Sequence, residues 1–526
     1  MSRGAGTRAP LPLVLVAGAV VALLLLPLAY LVVRVASGGS VSEILGEAQT
    51  WRLVLNTVLL ALGVVVSSVC VAVPLAWLVT RTDLPGRRLW ATAAALPFVI
   101  PSYVAAFCLL GFFGERGILA DALGVDRLPD VEGYWGSLLA LTLATYPYVF
   151  LLAQSALRGL DPSLEEAARG LGSTRTSTFL RVTAPALRPA VGLGALLVVL
   201  YTLSDFGVVS LMNYDTLTRA IYVQYKSLFD RAPAATLALL LVALTALALV
   251  AEYRIRHRGR QYRTGPGTRR PPQVVALGRW TTPALAFCSA VVGLFLVLPA
   301  GVLGFWLSRG IANDRELAVP WSEAAHSFVA SGLAAVVAVL ATLPVAVLAV
   351  RHPSRASHTL ERLSYAGNAL PGLVIALSLV FFTARYASPV YQTLALLVFA
   401  YVVRFFPQGL SGVESALQAV SPRHEEAARS LGSGSLRTLT RVTVPLVRSG
   451  ILAGAALVFL SAMKELPATL LLRPIGFETL ATDIWSLTQV GAYSRAALPA
   501  LVLIAVSAPV LYLISTERRF ESGTAG

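Results

Sequence analysis

Composition and charge define the class of this 526-residue chain before any motif is considered. Hydrophobic residues make up 56% and charged residues only 13% of the sequence, whereas soluble domains carry about 25% charged residues. This composition excludes a soluble protein and indicates one that is embedded in a membrane. The net charge of +15 predicts no nucleic-acid partner, because basic loops beside anionic lipid headgroups account for it.

Along the chain, apolar runs recur at the length of about 20 residues that an α-helix needs to cross a hydrocarbon core of ~30 Å. We predict an all-α polytopic membrane protein with about twelve transmembrane helices. The first run is too long for the ~7–15 apolar residues of a signal-peptide core, so we interpret it as a span that also targets the chain. The predicted spans lie near 11–33, 53–80, 91–113, 137–157, 190–211, 236–251, 282–307, 327–350, 365–384, 390–411, 449–472 and 496–515.

The distribution of basic residues predicts the orientation. The loops that would share a side with the amino terminus hold 28 of the 42 lysine and arginine residues. Because cytoplasmic loops carry the excess of these residues, we predict that both termini are cytoplasmic. The richest of these loops, 252–281, contains eight arginines between Arg254 and Arg279, and its part 261–281 is predicted to be a basic cytoplasmic linker.

A polar segment occurs twice in this apolar chain, 260 positions apart. Residues 165–188 and 425–448 are identical at 14 of 24 positions when they are aligned without a gap. A fixed-period match defines the architectural unit, so we divide the chain into a first repeat at 1–260, the linker, and a second repeat at 282–526. Six predicted spans in each half give both the same orientation, which is a parallel pair of six-helix repeats.

Local signals predict a short helix in each copy of the polar segment. A capping residue followed by proline predicts the helix start, an acidic pair lies near the positive end of the helix dipole, and a glycine predicts the helix end. A second short helix is predicted to run to about Thr183 and Thr443, before a proline. The signals are Asp161-Pro162, Glu165-Glu166 and Gly172 in loop 158–189, and Ser421-Pro422, Glu425-Glu426 and Gly432 in loop 412–448.

The doubled segment resembles the cytoplasmic signature loop of bacterial ABC importer permeases. That pattern is Glu-Ala-Ala, three residues, Gly, nine residues, an aliphatic residue, one residue, and then Leu before Pro; here Ala184 and Val444 stand in place of the Leu. In the family, the loop forms a coupling helix that docks in a groove of the ATP-binding subunit. The resemblance therefore implies coupling to the ATPase at Glu166, Ala167, Ala168, Gly172 and Pro185, and at Glu426, Ala427, Ala428, Gly432 and Pro445.

Two more segments, 204–225 and 463–485, follow the fifth span of each half and resemble the ferric iron importer permeases, which are fused in the same way. The resemblance implies the permease of an ATP-driven importer that translocates ferric iron by alternating access across the cytoplasmic membrane of a bacterium. The implied partners are two copies of a cytoplasmic ATP-binding cassette subunit, an extracytoplasmic substrate-binding protein and membrane lipid. Similar fused permeases serve thiamine, polyamines and phosphonates, and these substrates or an iron chelate remain alternatives.

Charged residues at membrane depth are candidates for the translocation path, because an unpaired charge there is costly. Asp205 and Glu465 fall at equivalent positions of the repeat, and Lys464 precedes Glu465. Two carboxylates related by the repeat would line a route for a cation. In the alternative, Lys464 or Arg473 neutralises Glu465, which then serves only packing or gating. Pro467 predicts a helix break just after this charged pair.

Several kinds of site are missing from the sequence. Neither Lys226 nor Lys464, the two lysines, lies in a G-x-x-x-x-G-K-[ST] phosphate loop, so we predict that partner subunits use the ATP and that this chain binds no cofactor. The five histidines and three cysteines lack metal-ligand spacing, which predicts no metal site. No nucleophile lies near a base in any motif, so the chain is predicted not to be an enzyme. A secondary transporter driven by an ion gradient is the alternative from another class, and a polytopic membrane enzyme is a more remote one.

Overall fold

A computed structural model describes residues 9–38, 41–114, 117–125, 129–227, 232–258, 274–312 and 319–523. These residues form helices joined by turns, with one isolated backbone bridge between Thr82 and Val275. The predicted all-α membrane fold is confirmed. Most of the predicted linker, up to residue 273, lies outside the described residues.

The first half begins with one long helix and ends with another. A 3-10 turn at Leu96–Val99 and a π-helical turn at Phe179–Thr183 join neighbouring helices. The α-helices are α1 Leu11–Gly38, α2 Val41–Gly46, α3 Ala48–Arg81, α4 Arg87–Ala95, α5 Ser102–Phe113, α6 Ile118–Leu123, α7 Tyr134–Gly159, α8 Pro162–Gly170, α9 Arg175–Thr178, α10 Ala184–Ser204, α11 Gly207–Leu211, α12 Leu217–Ser227 and α13 Ala232–Arg258.

The second half repeats this order, so that α3 corresponds to α16, α5 to α18, α7 to α19, α8 to α20 and α11 to α24. Its 3-10 turns are Gly278–Trp280, Tyr365–Ala369 and Ser388–Val390, and its π-helical turns are Gly293–Val297 and Leu439–Thr443. Its α-helices are α14 Thr281–Val292, α15 Leu298–Ala312, α16 Trp321–Arg351, α17 Arg355–Ser364, α18 Gly372–Tyr386, α19 Leu394–Ala419, α20 Arg423–Ser430, α21 Ser435–Thr438, α22 Val444–Leu446, α23 Arg448–Met463, α24 Pro467–Leu472, α25 Leu480–Gln489 and α26 Tyr493–Gly523.

Among the described residues, nine helices are long and apolar enough to cross a membrane, and two bent pairs raise the number to eleven at most. The last predicted span, 496–515, falls in α26, whose described apolar part is only Tyr493–Pro509. The number twelve therefore stays a prediction. The bent pairs are Arg355–Gly367 with Gly372–Tyr386, at 97°, and Leu439–Leu446 with Arg448–Met463, at 69°.

The prediction of one continuous helix over 91–113 is wrong. Helix α4 ends at Ala95, the 3-10 turn follows, and α5 begins only after Pro101. Pro97 and Pro101 have no N–H to donate, and the ring of each clashes with the preceding turn, so a straight helix cannot pass through both. The same break recurs before α18, where Pro371 precedes the helix.

The two halves exchange their first helices. Helix α1 packs against α16, α17 and α18 of the second half, where Tyr30 Oη donates to the carbonyl oxygen of Phe381 at 3.4 Å. In return, α14 and α15 pack against α3, α4 and α5 of the first half. There Trp306 Nε1 donates to the carbonyl oxygen of Gly111 at 3.3 Å, and the Phe295 and Tyr146 rings lie 5.1 Å apart.

Small residues let α19 and α23 approach each other closely. A Cβ atom on Gly412 would lie 2.9 Å from Gly454 Cα, and one on Gly450 would lie 2.3 Å from Ala416 Cβ. Gly412 and Ala416 on α19 thus meet Gly450 and Gly454 on α23, each pair four residues apart. This is the small-residue contact by which membrane helices bring their backbones together.

Candidate coupling helices and translocation path

The short helix predicted in each polar segment is present. In the first half, Asp161 caps α8 by accepting a hydrogen bond from the Ser163 N–H at 2.9 Å. This bond lowers the pKa of Asp161 below its ordinary value. The chain leaves α8 and α20 through Gly172 and Gly432, whose φ angles are 84° and 85°, a left-handed conformation that glycine adopts without strain.

Each short helix presents a small apolar surface to the outside. Ala167 is exposed, Ala168 is half-buried, and Glu166 is exposed beside them. The side chain of Leu171 is 89% exposed at the end of α8. Burial of an exposed leucine is favourable, and the small alanines one turn earlier leave room for a close partner, so this surface is suited to protein docking.

The second copy presents the same surface. Glu426 and Ala427 are exposed, Ala428 is half-buried, and Leu431 is 88% exposed. Sequence reasoning missed Leu171 and Leu431. Their identity in both copies, one residue before the glycine, is the signal that could have identified them.

The inner face of each short helix is fixed to the end of a long helix by an ion pair. Glu425 accepts a hydrogen bond from Arg351 Nε at 2.9 Å, and both side chains are buried. The equivalent pair in the first half is Arg81 Nη1 and Glu165 Oε2, 3.6 Å apart, and Thr183 Oγ1 donates to Glu165 Oε1 at 2.8 Å. The first glutamate of each acidic pair therefore anchors the helix, while the second one faces outward.

The predicted end of the second short helix before Pro185 and Pro445 is wrong. In the first half α9 continues through the π-helical turn into α10, and Pro185 lies in the first turn of α10. Pro185 follows directly on the π-helical turn, the kind of local irregularity at which a helix accommodates a proline. In the second half the helix passes Pro445 and bends by 69° near Val447. Both prolines thus lie within helices that lead from the docking surface into the membrane.

Asp205 lies at the break between α10 and α11, where it is buried. Its carboxylate accepts hydrogen bonds from Ser102 Oγ at 2.5 Å and from the Val208 N–H at 2.9 Å. Thr218 Oγ1 donates to the carbonyl oxygen of Asp205 at 2.8 Å. No ion pair to Asp205 is found within the described part of the chain.

Glu465 occupies the equivalent break between α23 and α24, which confirms the break predicted at Pro467. Its partner differs from both candidates named from the sequence. Arg404 of α19 lies 3.0 Å from Glu465 Oε2, while Arg473 forms an ion pair with Glu478. Lys464 instead donates to the carbonyl oxygen of Phe98 at 3.1 Å, and so joins the second half to the first.

The two carboxylate sites differ in a way that compensates for the different lengths of Asp205 and Glu465. Ser102 and Gly372 are equivalent positions of the repeat, and a Cβ on Gly372 would lie only 2.3 Å from Glu465 Oε1. The shorter aspartate thus receives a serine hydroxyl, whereas the longer glutamate fills the space that a glycine leaves and pairs with Arg404. Position 144, which is equivalent to Arg404 in the repeat, is an alanine.

Aromatic side chains fill the space around these sites. The Phe98 and Tyr148 rings lie 5.1 Å apart, and the Tyr148 and Tyr201 rings lie 6.0 Å apart. Phe206, next to Asp205, lies 5.1 Å from the Trp485 ring of the second half. The carboxylates and Lys464 therefore lie at the seam between the halves, beside a layer of aromatic rings.

A comparison with protein-family models matches residues 72–261 and 338–518 to the binding-protein-dependent transport system inner membrane component. The chain belongs to that family. Both matched ranges contain one polar segment and one carboxylate break. The doubled architecture of this permease is therefore the doubled family unit, and the resemblance inferred from the signature loop is confirmed.

Two ferric iron permeases are similar over most of this chain, and a sulfate permease is similar over less than half of it. The chain is 33% identical over 499 residues to the Fe(3+)-transport system permease protein FbpB 2 of Haemophilus influenzae, covering 93% of this chain and 95% of that protein. The ferric transport system permease protein FbpB of Actinobacillus pleuropneumoniae is 24% identical over 90% of this chain and 72% of its own. The sulfate transport system permease protein CysT of Escherichia coli is 30% identical over 43% of this chain and 84% of its own.

Proposed function

We propose that this permease carries ferric iron inward through the cytoplasmic membrane of a bacterium as part of an ATP-driven importer. The observation that carries the proposal is the 33% identity to a ferric iron permease over nearly the full length of both chains. The similarity to a sulfate permease covers less than half of this chain, and it therefore supports the transporter class more than the substrate.

In this proposal, each of α8 and α20 docks on one cytoplasmic ATP-binding cassette subunit through Glu166, Ala167, Ala168 and Leu171 or their counterparts in α20. The membrane face that carries these helices, and with it both termini, is cytoplasmic. When ATP closes the two cassettes, the docking helices approach each other. The ion pairs Arg351–Glu425 and Arg81–Glu165 transmit this movement to α16 and α3.

We assign the gate of the path to the seam at Asp205, Lys464 and Glu465. The bond from Lys464 to the Phe98 carbonyl joins the two halves across the aromatic layer, so the halves cannot separate without breaking it. Opening towards an extracytoplasmic binding protein would expose Asp205 and Glu465 to the incoming cation. Lys464 would then leave the seam, which removes a positive charge from the path of a cation.

The test of the substrate is uptake into proteoliposomes that contain this permease, its cassette subunit and its binding protein. With ATP inside and the loaded binding protein outside, ferric iron should accumulate, while sulfate, thiamine and polyamines should neither accumulate nor compete. Accumulation of any of these in place of iron would refute the ferric assignment. Loss of all uptake when the cassette subunit is omitted separates an ATP-driven importer from a transporter driven by an ion gradient.

The test of the path compares Asp205→Asn with Ser210→Ala, a matched change on the next short helix. Asp205→Asn keeps the size of the side chain and the hydrogen bond from Val208 but removes the charge. Ferric uptake should fall about tenfold or more, the effect of one lost charge contact of ~1.4 kcal/mol, while basal ATP hydrolysis and assembly stay unchanged. Unchanged uptake in Asp205→Asn would remove this residue from the path.

A further inference from the structure

A large cavity lies beside the first docking helix, and the proposed transport cycle assigns it no ligand. Its volume is about 770 Å³, within the range of about 300–1,000 Å³ that is typical of ligand pockets. The walls come from the end of α3, from α8 and α9, and from the segment 275–287 that leads into the second half. Most of this surface is apolar and includes Trp77, Phe179, Trp280 and Phe287.

One end of the cavity is basic. Arg81 and Arg169 line it together with Glu165, the one acidic side chain in the wall. Arg81 is only 2% exposed, and none of its three guanidinium nitrogens makes a hydrogen bond. Its ion pair with Glu165 spans 3.6 Å, too long for a hydrogen bond.

The equivalent arginine of the second half has hydrogen-bond acceptors for two of its three guanidinium nitrogens. Arg351 donates from Nε to Glu425 at 2.9 Å and from Nη2 to the carbonyl oxygen of Val420 at 3.1 Å. A buried donor without an acceptor costs about 1–3 kcal/mol, and more when it is charged. The two arginines occupy the same place in the repeat, so the difference points to an acceptor that Arg81 receives from outside the protein.

The cavity lies at the level where one long apolar helix ends and another begins. Arg81 is the last residue of the span α3, and Thr281 begins α14. Trp77 and Trp280 lie near these ends, as tryptophans do at membrane interfaces. A neighbouring depression is lined by Arg87 and Arg88, and the sequence that enters this region is rich in arginine.

We propose that this cavity binds an anionic phospholipid, with the phosphate on Arg81 and the first part of an acyl chain between the aromatic walls. A free inorganic anion would satisfy the arginine but would leave the apolar walls in contact with water. Glu165 makes the site selective for a single bound phosphate, since Arg81 and Arg169 outweigh its charge by one. Because Glu165 belongs to α8, the lipid also supports the docking helix, an effect that rests on the proposed coupling function.

The experiment is native mass spectrometry of the purified permease–ATPase complex after reconstitution with phosphatidylglycerol and phosphatidylcholine. The native complex should retain one phosphatidylglycerol per permease. Arg81→Gln, which removes the headgroup contact, and Ala276→Trp, which fills the cavity at an exposed wall position, should each lower this occupancy about tenfold or more. Arg351→Gln is the matched control, because it breaks the equivalent anchor and should leave the occupancy unchanged.

Phosphatidylglycerol retention in Arg81→Gln equal to that in the native complex would overturn the proposal, and so would its displacement by millimolar inorganic phosphate, which would indicate a site for soluble anions. Equal losses in Arg351→Gln and Arg81→Gln would also overturn it, since they would indicate general loosening of the complex. Size-exclusion profiles confirm that each variant is assembled. The lipid occupancy is read without any transport, so its outcome is independent of whether ferric iron is the substrate.

Discussion

Removal of Arg404 tests the charge arrangement at the seam most directly. Glu465 is 6% exposed, and its ion-pair partner Arg404 lies at 3.0 Å. Apart from that pair, the hydrogen bond that its carboxylate accepts from the described residues is a long one of 3.4 Å from the Ala468 N–H. Arg404→Gln therefore leaves a buried carboxylate almost without compensation. Breaking one partner of such a pair costs about 3–5 kcal/mol, which at about 2 °C per kcal/mol lowers the melting temperature by roughly 6–10 °C.

A second charge removal decides whether this reasoning holds. Adding Glu465→Gln to Arg404→Gln removes the orphaned charge and should restore most of the lost melting temperature, as contacting residues do in a double-mutant cycle. Lys464→Met should give no such rescue, since Lys464 bonds to Phe98 instead. The assay is the temperature at which the purified permease loses its monodisperse size-exclusion peak. Rescue by Lys464→Met, or none by Glu465→Gln, would refute the pairing seen here.

Three further predictions concern docking, packing and orientation. The double change Leu171→Ala and Leu431→Ala should weaken binding of the cassette subunit about tenfold or more, measured by pull-down at increasing salt. The melting temperature should stay constant because both side chains are exposed, and unchanged binding would contradict the docking surface. Gly450→Leu should prevent the close crossing of α19 and α23 and lower the melting temperature, whereas a stable variant would show that the helices can move apart. Cysteines placed at Ser173 and Ser433, after replacement of the three native cysteines, should be shielded from an impermeant reagent in intact cells and react after permeabilisation; labelling of either in intact cells would reverse the proposed orientation.

The docking helices could be predicted because their signals are local. A cap, a proline, and a glycine in a left-handed conformation act within a few residues of each other, and the repetition of the segment removed the ambiguity that a single copy would leave. The apolar spans were predictable for the same reason, since hydropathy is summed over one continuous stretch. The breaks at Pro97 and Pro101 are harder to predict, because two single prolines interrupt a run whose summed hydropathy still favours one continuous span.

The partner of Glu465 could not be predicted, because it is distant in sequence and the basic residues near Glu465 in sequence have other partners. Lys464 is adjacent but points across the seam to Phe98, since successive side chains at a helix end diverge. Arg404 lies 61 positions earlier and comes close only through the packing of α19 and α24. A comparison of the two halves contains the signal for this pair. The second half has Arg404 where the first half has alanine, and Gly372 where the first half has serine.

The exchange of the first helices has a consequence for how the protein holds together. The first helix of each half packs against the other half. The two halves are therefore held together by contacts that do not depend on the linker. Two separate polypeptides ending at 258 and starting at 274 would keep every contact of α1 with α16, α17 and α18, and of α14 and α15 with α3, α4 and α5. The covalent link between the halves then ensures that they are made in equal numbers and meet during synthesis. Two unfused copies of such a unit would pair in the same way, each covered by the first helix of the other.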